Sequence, residues 1–103
     1  MQIDLEKERL EILKRYRKLL RTAKPFLKDD DAKQIKKAFL ISAEAHKDMR
    51  RKSGEPYIYH PLSVAQICVE EIGLGTTSII AALLHDVVED TDTTLAEIEK
   101  QFN

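Results

Sequence analysis

Between Asp4 and Ala23 the apolar residues Leu5, Ile12, Leu13, Tyr16, Leu19, Leu20 and Ala23, with the stem of Arg9, recur at helical spacing. That pattern lays one stripe along a helix of ~3.6 residues per turn; a strand would alternate its faces at every second residue. Pro25 limits the segment, because the residue before a proline avoids the helical region. Turn formers are scarce throughout, with three Gly and three Pro, while Leu, Ile, Glu and Lys are plentiful. The expected fold is therefore all-α, about five helices packed as a single domain over residues 1–103.

The remaining helices follow from their ends. Asp29-Asp30-Asp31 supplies N-cap and first-turn acids for a second helix with the stripe Ile35, Ala38, Phe39, Ser42, Ala45, His46 and Met49. It is expected to run out in Arg50-Arg51-Lys52-Ser53-Gly54, cations followed by glycine. Pro61 suits the first turn of a third helix, with Val64, Ile67, Cys68 and Ile72 on its buried side and Gly73 at its end. A fourth starts at Gly75-Thr76-Thr77 and runs to about Asp90. Thr94-Leu95-Ala96-Glu97 reads as a capping box for a short fifth, with Glu97 reaching back. The ending Gln101-Phe102-Asn103, without a closing turn, reads as a domain cut short.

Cys68 is the only cysteine, so no intramolecular disulfide can form, which fits a reducing, cytoplasmic setting. The N-terminal MQIDLEKERLEILKRYRK is charged throughout and lacks the apolar core of a signal peptide. No apolar run approaches the ~18 residues of a membrane span. Charge is divided: residues 1–52 hold sixteen of the seventeen Lys and Arg against nine acids, net +7, and residues 53–103 are net −8. A basic half attracts polyanions and an acidic half can hold cations. A basic amphipathic helix followed by an acidic segment explains the split equally well. No segment has the cation density of a DNA-binding arm, so direct DNA binding is not expected.

The stretch Leu83-Leu84-His85-Asp86-Val87-Val88-Glu89-Asp90-Thr91 carries the chemistry. At ~100° per residue, with His85 as origin, Glu89 falls near ~40°, Asp86 near ~100° and Asp90 near ~140°, while Leu83, Val87, Ile80, Leu84 and Val88 fall between ~160° and ~300°. The four ionisable groups share one arc opposite the apolar one. Ala82 lies one turn beneath them and leaves room for an approaching group. An ordinary amphipathic helix with a wet polar face also gives this arc. It explains less well three acids with no adjacent Lys or Arg, which destabilise a helix by mutual repulsion and oppose its dipole. A bound divalent cation would remove that cost, and adjacent imidazole and carboxylate donors suit Mn²⁺, Fe²⁺ or Zn²⁺. His60, fixed before Pro61, is the candidate partner, though a histidine that only satisfies a turn is the simpler alternative. His46 falls on the apolar side of the second helix and reads as a packed structural residue.

Arg51-Lys52-Ser53-Gly54-Glu55-Pro56-Tyr57-Ile58-Tyr59-His60-Pro61 and His85-Asp86-Val87-Val88-Glu89-Asp90-Thr91 taken together closely resemble the N-terminal hydrolase region of the RelA/SpoT family. Those enzymes make and degrade the alarmone (p)ppGpp and lie within the HD superfamily of helical metal-dependent phosphohydrolases. The resemblance spans roughly residues 38–103. It implies an HD-type helical bundle, with His60, His85 and Asp86 as metal ligands, usually for Mn²⁺. It implies Glu89 and Asp90 as catalytic acids, and Arg51, Lys52 and Ser53 beside a guanine nucleotide. Retention of both acids after the His-Asp pair marks the hydrolase-competent kind. The implied reaction is hydrolysis of the 3′-pyrophosphate of ppGpp, giving GDP and pyrophosphate. In the family a downstream aspartate completes the metal shell, and this sequence ends before it, so weak or absent activity is expected of the 103 residues alone. Two alternatives stand beside this: an HD phosphohydrolase for another nucleotide, and a non-catalytic helical regulatory module whose partner surface is the basic first helix. Exposed apolar faces on an incomplete domain would favour homo-oligomers.

Overall fold

The computed structural model describes residues 3–102 except Leu74 and Asp92, and for Asp90, Leu95, Glu99 and Gln101 the backbone alone. The architecture is all-α. Helix α1 spans Leu5–Ala23 and passes into a 3₁₀ turn, Lys24–Phe26. Then come α2 (Asp31–Ala45), α3 (Tyr59–Ile67), α4 (Thr76–Asp90) and α5 (Leu95–Phe102). A wider π-helical turn, Cys68–Ile72, extends α3 until Gly73 stops it at φ 70°, a left-handed conformation that favours glycine.

Helix α4 is the central element, packed between α2 and α3, with α1 lying on α3. Its apolar side sends Ile79, Leu83, Leu84 and Val87 into the core, against Ile35, Ala38 and Phe39 of α2 and Leu62, Ala65 and Val69 from α3 and its extension. Tyr16 and Phe39 stack at 4.2 Å between ring centroids and tie α1 to α2. Complete burial of a side chain such as Leu83 removes enough apolar surface for about 1.5–3 kcal/mol. Among the described residues no helix is long and apolar enough to cross a membrane.

Three local expectations are corrected. First, α2 does not continue to Gly54; it stops at Ala45, with His46 as its C-cap. The buried His46 ring folds back on the last turn, Nδ1 lying 3.0 Å from the Ser42 carbonyl oxygen. Residues 47–57 then form a tight loop. Within it Arg51 N–H donates to Glu55 O at 3.0 Å, Tyr57 N–H to Met49 O at 2.9 Å and Gly54 N–H to Arg51 O at 2.8 Å. Second, the buried side of α3 is Pro61, Leu62 and Ala65, continued by Val69, whereas Val64, Ile67 and Ile72 are exposed. Two apolar stripes compete on this short helix, and the one that meets α4 wins. Third, Leu5 is 71% exposed, because α1 is buried only along its second half, at Tyr16, Leu19 and Ala23.

Helix ends also use their acids differently from the simplest pattern. Asp31 reaches backward, its carboxylate accepting the Lys28 N–H at 2.7 Å. Thr94 caps α5 as expected, accepting the Glu97 N–H at 3.2 Å, while the Glu97 carboxylate meets the Thr94 hydroxyl at 3.3 Å.

Candidate metal centre

Asp86 and His85 leave α4 from its last turns, on the side away from Leu83 and Val87. The imidazole Nδ1 of His85 lies 2.9 Å from Asp86 Oδ1. From the start of α3, His60 brings Nε2 to 3.7 Å from the other carboxylate oxygen, Oδ2. Tyr57, one turn before His60, donates its hydroxyl to that same Oδ2 at 2.9 Å. One carboxylate thus joins α4 to the start of α3 and to the loop before it.

The polar arc on α4 is not uniformly wet. His85 is 68% exposed and Asp86 only 13%. Glu89 is exposed, and one donor atom from each of His85, Asp86 and Glu89 lies within 4.8 Å of the others. Burial by itself pushes the Asp86 carboxyl upward; hydrogen bonds from His85 and Tyr57, with the nearby His85 and His60 rings, outweigh it and hold Asp86 below the usual aspartate range. A metal ligand must be deprotonated, and Asp86 is kept so. The donor set of two imidazoles and a carboxylate, with a second carboxylate in reach, fits a borderline divalent cation.

Arg51, Lys52 and Ser53 are exposed at the tip of the loop between α2 and α3. With Arg50, Tyr57 and His60 they line an open depression of about 530 Å³. The loop is anchored from outside: Arg50 makes a two-pronged ion pair with Glu8 of α1 and donates to Gly54 O at 2.8 Å. Of the residues singled out in the sequence, His60, His85, Asp86 and Glu89 are thus brought together, and the Arg51–Lys52–Ser53 tip flanks His60. Asp90 lies in α4, but its side chain falls outside the described residues. His46 is packed and 2% exposed, as expected. Sequence reasoning missed Tyr57. A phenol one helical turn ahead of the candidate ligand His60 was the available signal.

Residues 38–103 match the model of the HD domain family, nearly two thirds of the chain. The chain belongs to the HD-domain family. This HD domain is 51% identical over 71 residues to the guanosine-3′,5′-bis(diphosphate) 3′-pyrophosphohydrolase of Aquifex aeolicus, covering 69% of this chain and 10% of that one. It is 44% identical over 77 residues to the bifunctional (p)ppGpp synthase/hydrolase SpoT of Escherichia coli, covering 75% and 11%. To a guanosine-3′,5′-bis(diphosphate) 3′-pyrophosphohydrolase of Xenopus tropicalis it is 53% identical over 75 residues, covering 70% and 42%. These relatives put it on the RelA/SpoT branch of the family. It spans about a tenth of the length of its bacterial relatives, and under half of the Xenopus one.

Proposed function

We propose that this HD domain hydrolyses the 3′-pyrophosphate of ppGpp, releasing GDP and pyrophosphate, as the N-terminal portion of a single phosphohydrolase domain. The observation that carries the reading is the convergence of His60, His85 and Asp86, with Glu89 beside them, next to a cationic depression. The names of the relatives support the substrate.

His60, His85 and Asp86 would hold a divalent cation, Mn²⁺ in this reading. When bound, such a cation acts as a Lewis acid toward phosphoryl oxygens and helps activate water. In this reading Glu89 would accept the proton of the attacking water, and Asp90 would assist it. The guanidinium of Arg51 offers a planar fork and stacking surface for base or phosphate, and Lys52 a point charge. The Ser53 hydroxyl adds a hydrogen-bond donor at the loop tip. Partly buried Asp86, kept anionic by its donors, fixes the centre before substrate arrives.

The test has two arms. Calorimetry measures Mn²⁺ binding by a form extended past Asn103, where Asp86→Ala should abolish it. Pyrophosphate release from ppGpp is then followed in a form extended past Asn103, with other nucleotides in parallel. Absent binding by the wild type, or full turnover after Asp86→Ala, defeats the proposal. Turnover of another nucleotide in place of ppGpp leaves the HD chemistry and removes the alarmone.

A further inference from the structure

The centre contains a polar residue that neither the sequence motif nor the metal-ligand pattern assigns. Tyr57 lies in the loop before α3, and its hydroxyl donates to Asp86 Oδ2 at 2.9 Å across 29 residues of chain. Its ring is held from both sides. His46 packs against it at 4.7 Å between centroids, tilted by 33°, and His60 meets it edge-on at 5.9 Å. The backbone is fixed as well, with Tyr57 N–H donating to Met49 O at 2.9 Å and His60 N–H donating to Tyr57 O at 2.9 Å.

His46 is the rigid wall of this arrangement. It is 2% exposed and caps α2, and its Nδ1 faces the Ser42 carbonyl oxygen at 3.0 Å. The Ser42 hydroxyl lies 3.4 Å from the same nitrogen, so the ring is held against the last turn of α2 by both polar groups of Ser42. The position of the Tyr57 hydroxyl is thereby tied to the end of α2, and through it the orientation of Asp86 is tied to α2 and α3 as well as to α4.

We infer that Tyr57 is a positioning residue for the candidate metal centre, orienting the Asp86 carboxylate through its hydroxyl while His46 holds the ring in place. A carboxylate on a helix can rotate about its last bond. With Oδ2 engaged by Tyr57, Oδ1 stays on the His85 side, and the ligand face is organised before a cation arrives. Partners one step removed from a metal typically govern its affinity by about 10–100-fold.

This inference rests on the metal-centre reading, and the experiment separates the two. Tyr57→Phe removes one oxygen and keeps the ring between His46 and His60. In the metal-free protein, the side-chain carboxyl ¹³C resonance of Asp86 should shift in Tyr57→Phe, while the thermal transition stays cooperative. Mn²⁺ titration of both proteins in a form extended past Asn103, followed by calorimetry, should show a Kd about 10–100-fold weaker than wild type. An unmoved Asp86 resonance, or an unchanged Kd beside a wild type that binds, overturns the role of Tyr57. A wild type that takes up no Mn²⁺ overturns the metal-centre reading, and the metal-free resonance still decides whether Tyr57 holds Asp86.

Discussion

Arg50 and Glu8 stand forty-two residues apart in the chain and meet fork to fork, Nη1 donating to Oε2 at 2.8 Å and Nη2 to Oε1 at 2.7 Å. This pair clamps the first turns of α1, otherwise loosely packed, onto the loop that carries Arg51, Lys52 and Ser53. The same guanidinium binds Gly54 O, so the clamp reaches into the loop itself. Arg50→Lys keeps the charge and loses the fork. Faster hydrogen exchange at Arg51–Gly54 amides and weaker nucleotide binding are expected, with the core helices unchanged in exchange. Equal exchange in both proteins would separate the loop from the clamp. The difference should shrink in high salt, since the pair is partly solvent-exposed.

Acid should loosen this clamp and the α2 start together. The Arg50 hydrogen bond holds Glu8 below the ordinary glutamate range, and the Lys28 backbone N–H does the same for Asp31. A depressed folded-state pKa means stability that is fully present above the unfolded value of about 4 and lost as pH falls through the folded one. The melting temperature should therefore decline on acidification below about pH 5, and the decline should be shallower in a Glu8→Gln, Asp31→Asn double variant. Parallel curves for the two proteins between pH 7 and 3 would show that other groups govern the acid transition.

The long-range clamp also shows where sequence reading stops. Helix α4 was largely legible: Gly75-Thr76-Thr77 marked its start, and period gave Leu83, Leu84 and Val87 as its core face. The fully buried Ile79 falls on the ionisable arc and was not foreseen, while Ile80 and Val88 are only partly buried. The α3 stripe was not legible, because Val64, Ile67 and Ile72 repeat as well as Leu62, Ala65 and Val69 do; only the approach of α4 chooses between them. The end of α2 was misread because a cation run followed by Gly54 is a good helix terminus in isolation. The actual stop comes at His46, whose ring folds back on Ser42 four residues earlier and is buried among the packed helices, an inward turn the cation run does not foretell. In the candidate site, the motif supplied the residues His60, His85, Asp86 and Glu89. That Asp86 is mostly buried, and that Tyr57 bonds to it, depends on a loop conformation no periodicity encodes.

Gly54 adopts φ 92°, with no atom within 4 Å of where a Cβ would stand. Substitution there meets backbone strain alone, without a clash. Gly54→Ala should cost about 1–2 kcal/mol of stability. Because the strain falls on the tip between Ser53 and Glu55, nucleotide affinity should weaken too. Chemical denaturation and nucleotide titration of the same variant check both; an unchanged denaturation midpoint would mean that the loop relaxes freely around the new side chain.

Leu83 is fully buried on α4, two residues before His85. Leu83→Ala should destabilise by about 2–5 kcal/mol, through lost apolar burial and the cavity left behind. In a domain of this size each kcal/mol lowers the melting temperature by about 4–8 °C. Below its melting range the variant should bind Mn²⁺ with near wild-type affinity, because the side chain points away from the ionisable arc. A large loss of affinity in protein still folded would mean that core packing sets the spacing of the ligands.

Glu89 distinguishes proton transfer from ligation. Its carboxylate shares a 4.8 Å neighbourhood with His85 and Asp86, so geometry alone allows it to hold the cation or to take a proton from water. Glu89→Gln preserves the shape, but turns one accepting oxygen into a donating NH₂ and removes the negative charge and with it the basic function. As the general base, Glu89 should cost about 10²–10⁴-fold in turnover when replaced, with KM and Mn²⁺ affinity little changed. As a ligand, its loss should weaken Mn²⁺ binding, and excess Mn²⁺ should restore the rate. Steady-state kinetics across a Mn²⁺ series, read beside calorimetry of the same protein, separates the two. The expected result is a low rate that added Mn²⁺ does not recover; full recovery would move Glu89 from base to ligand.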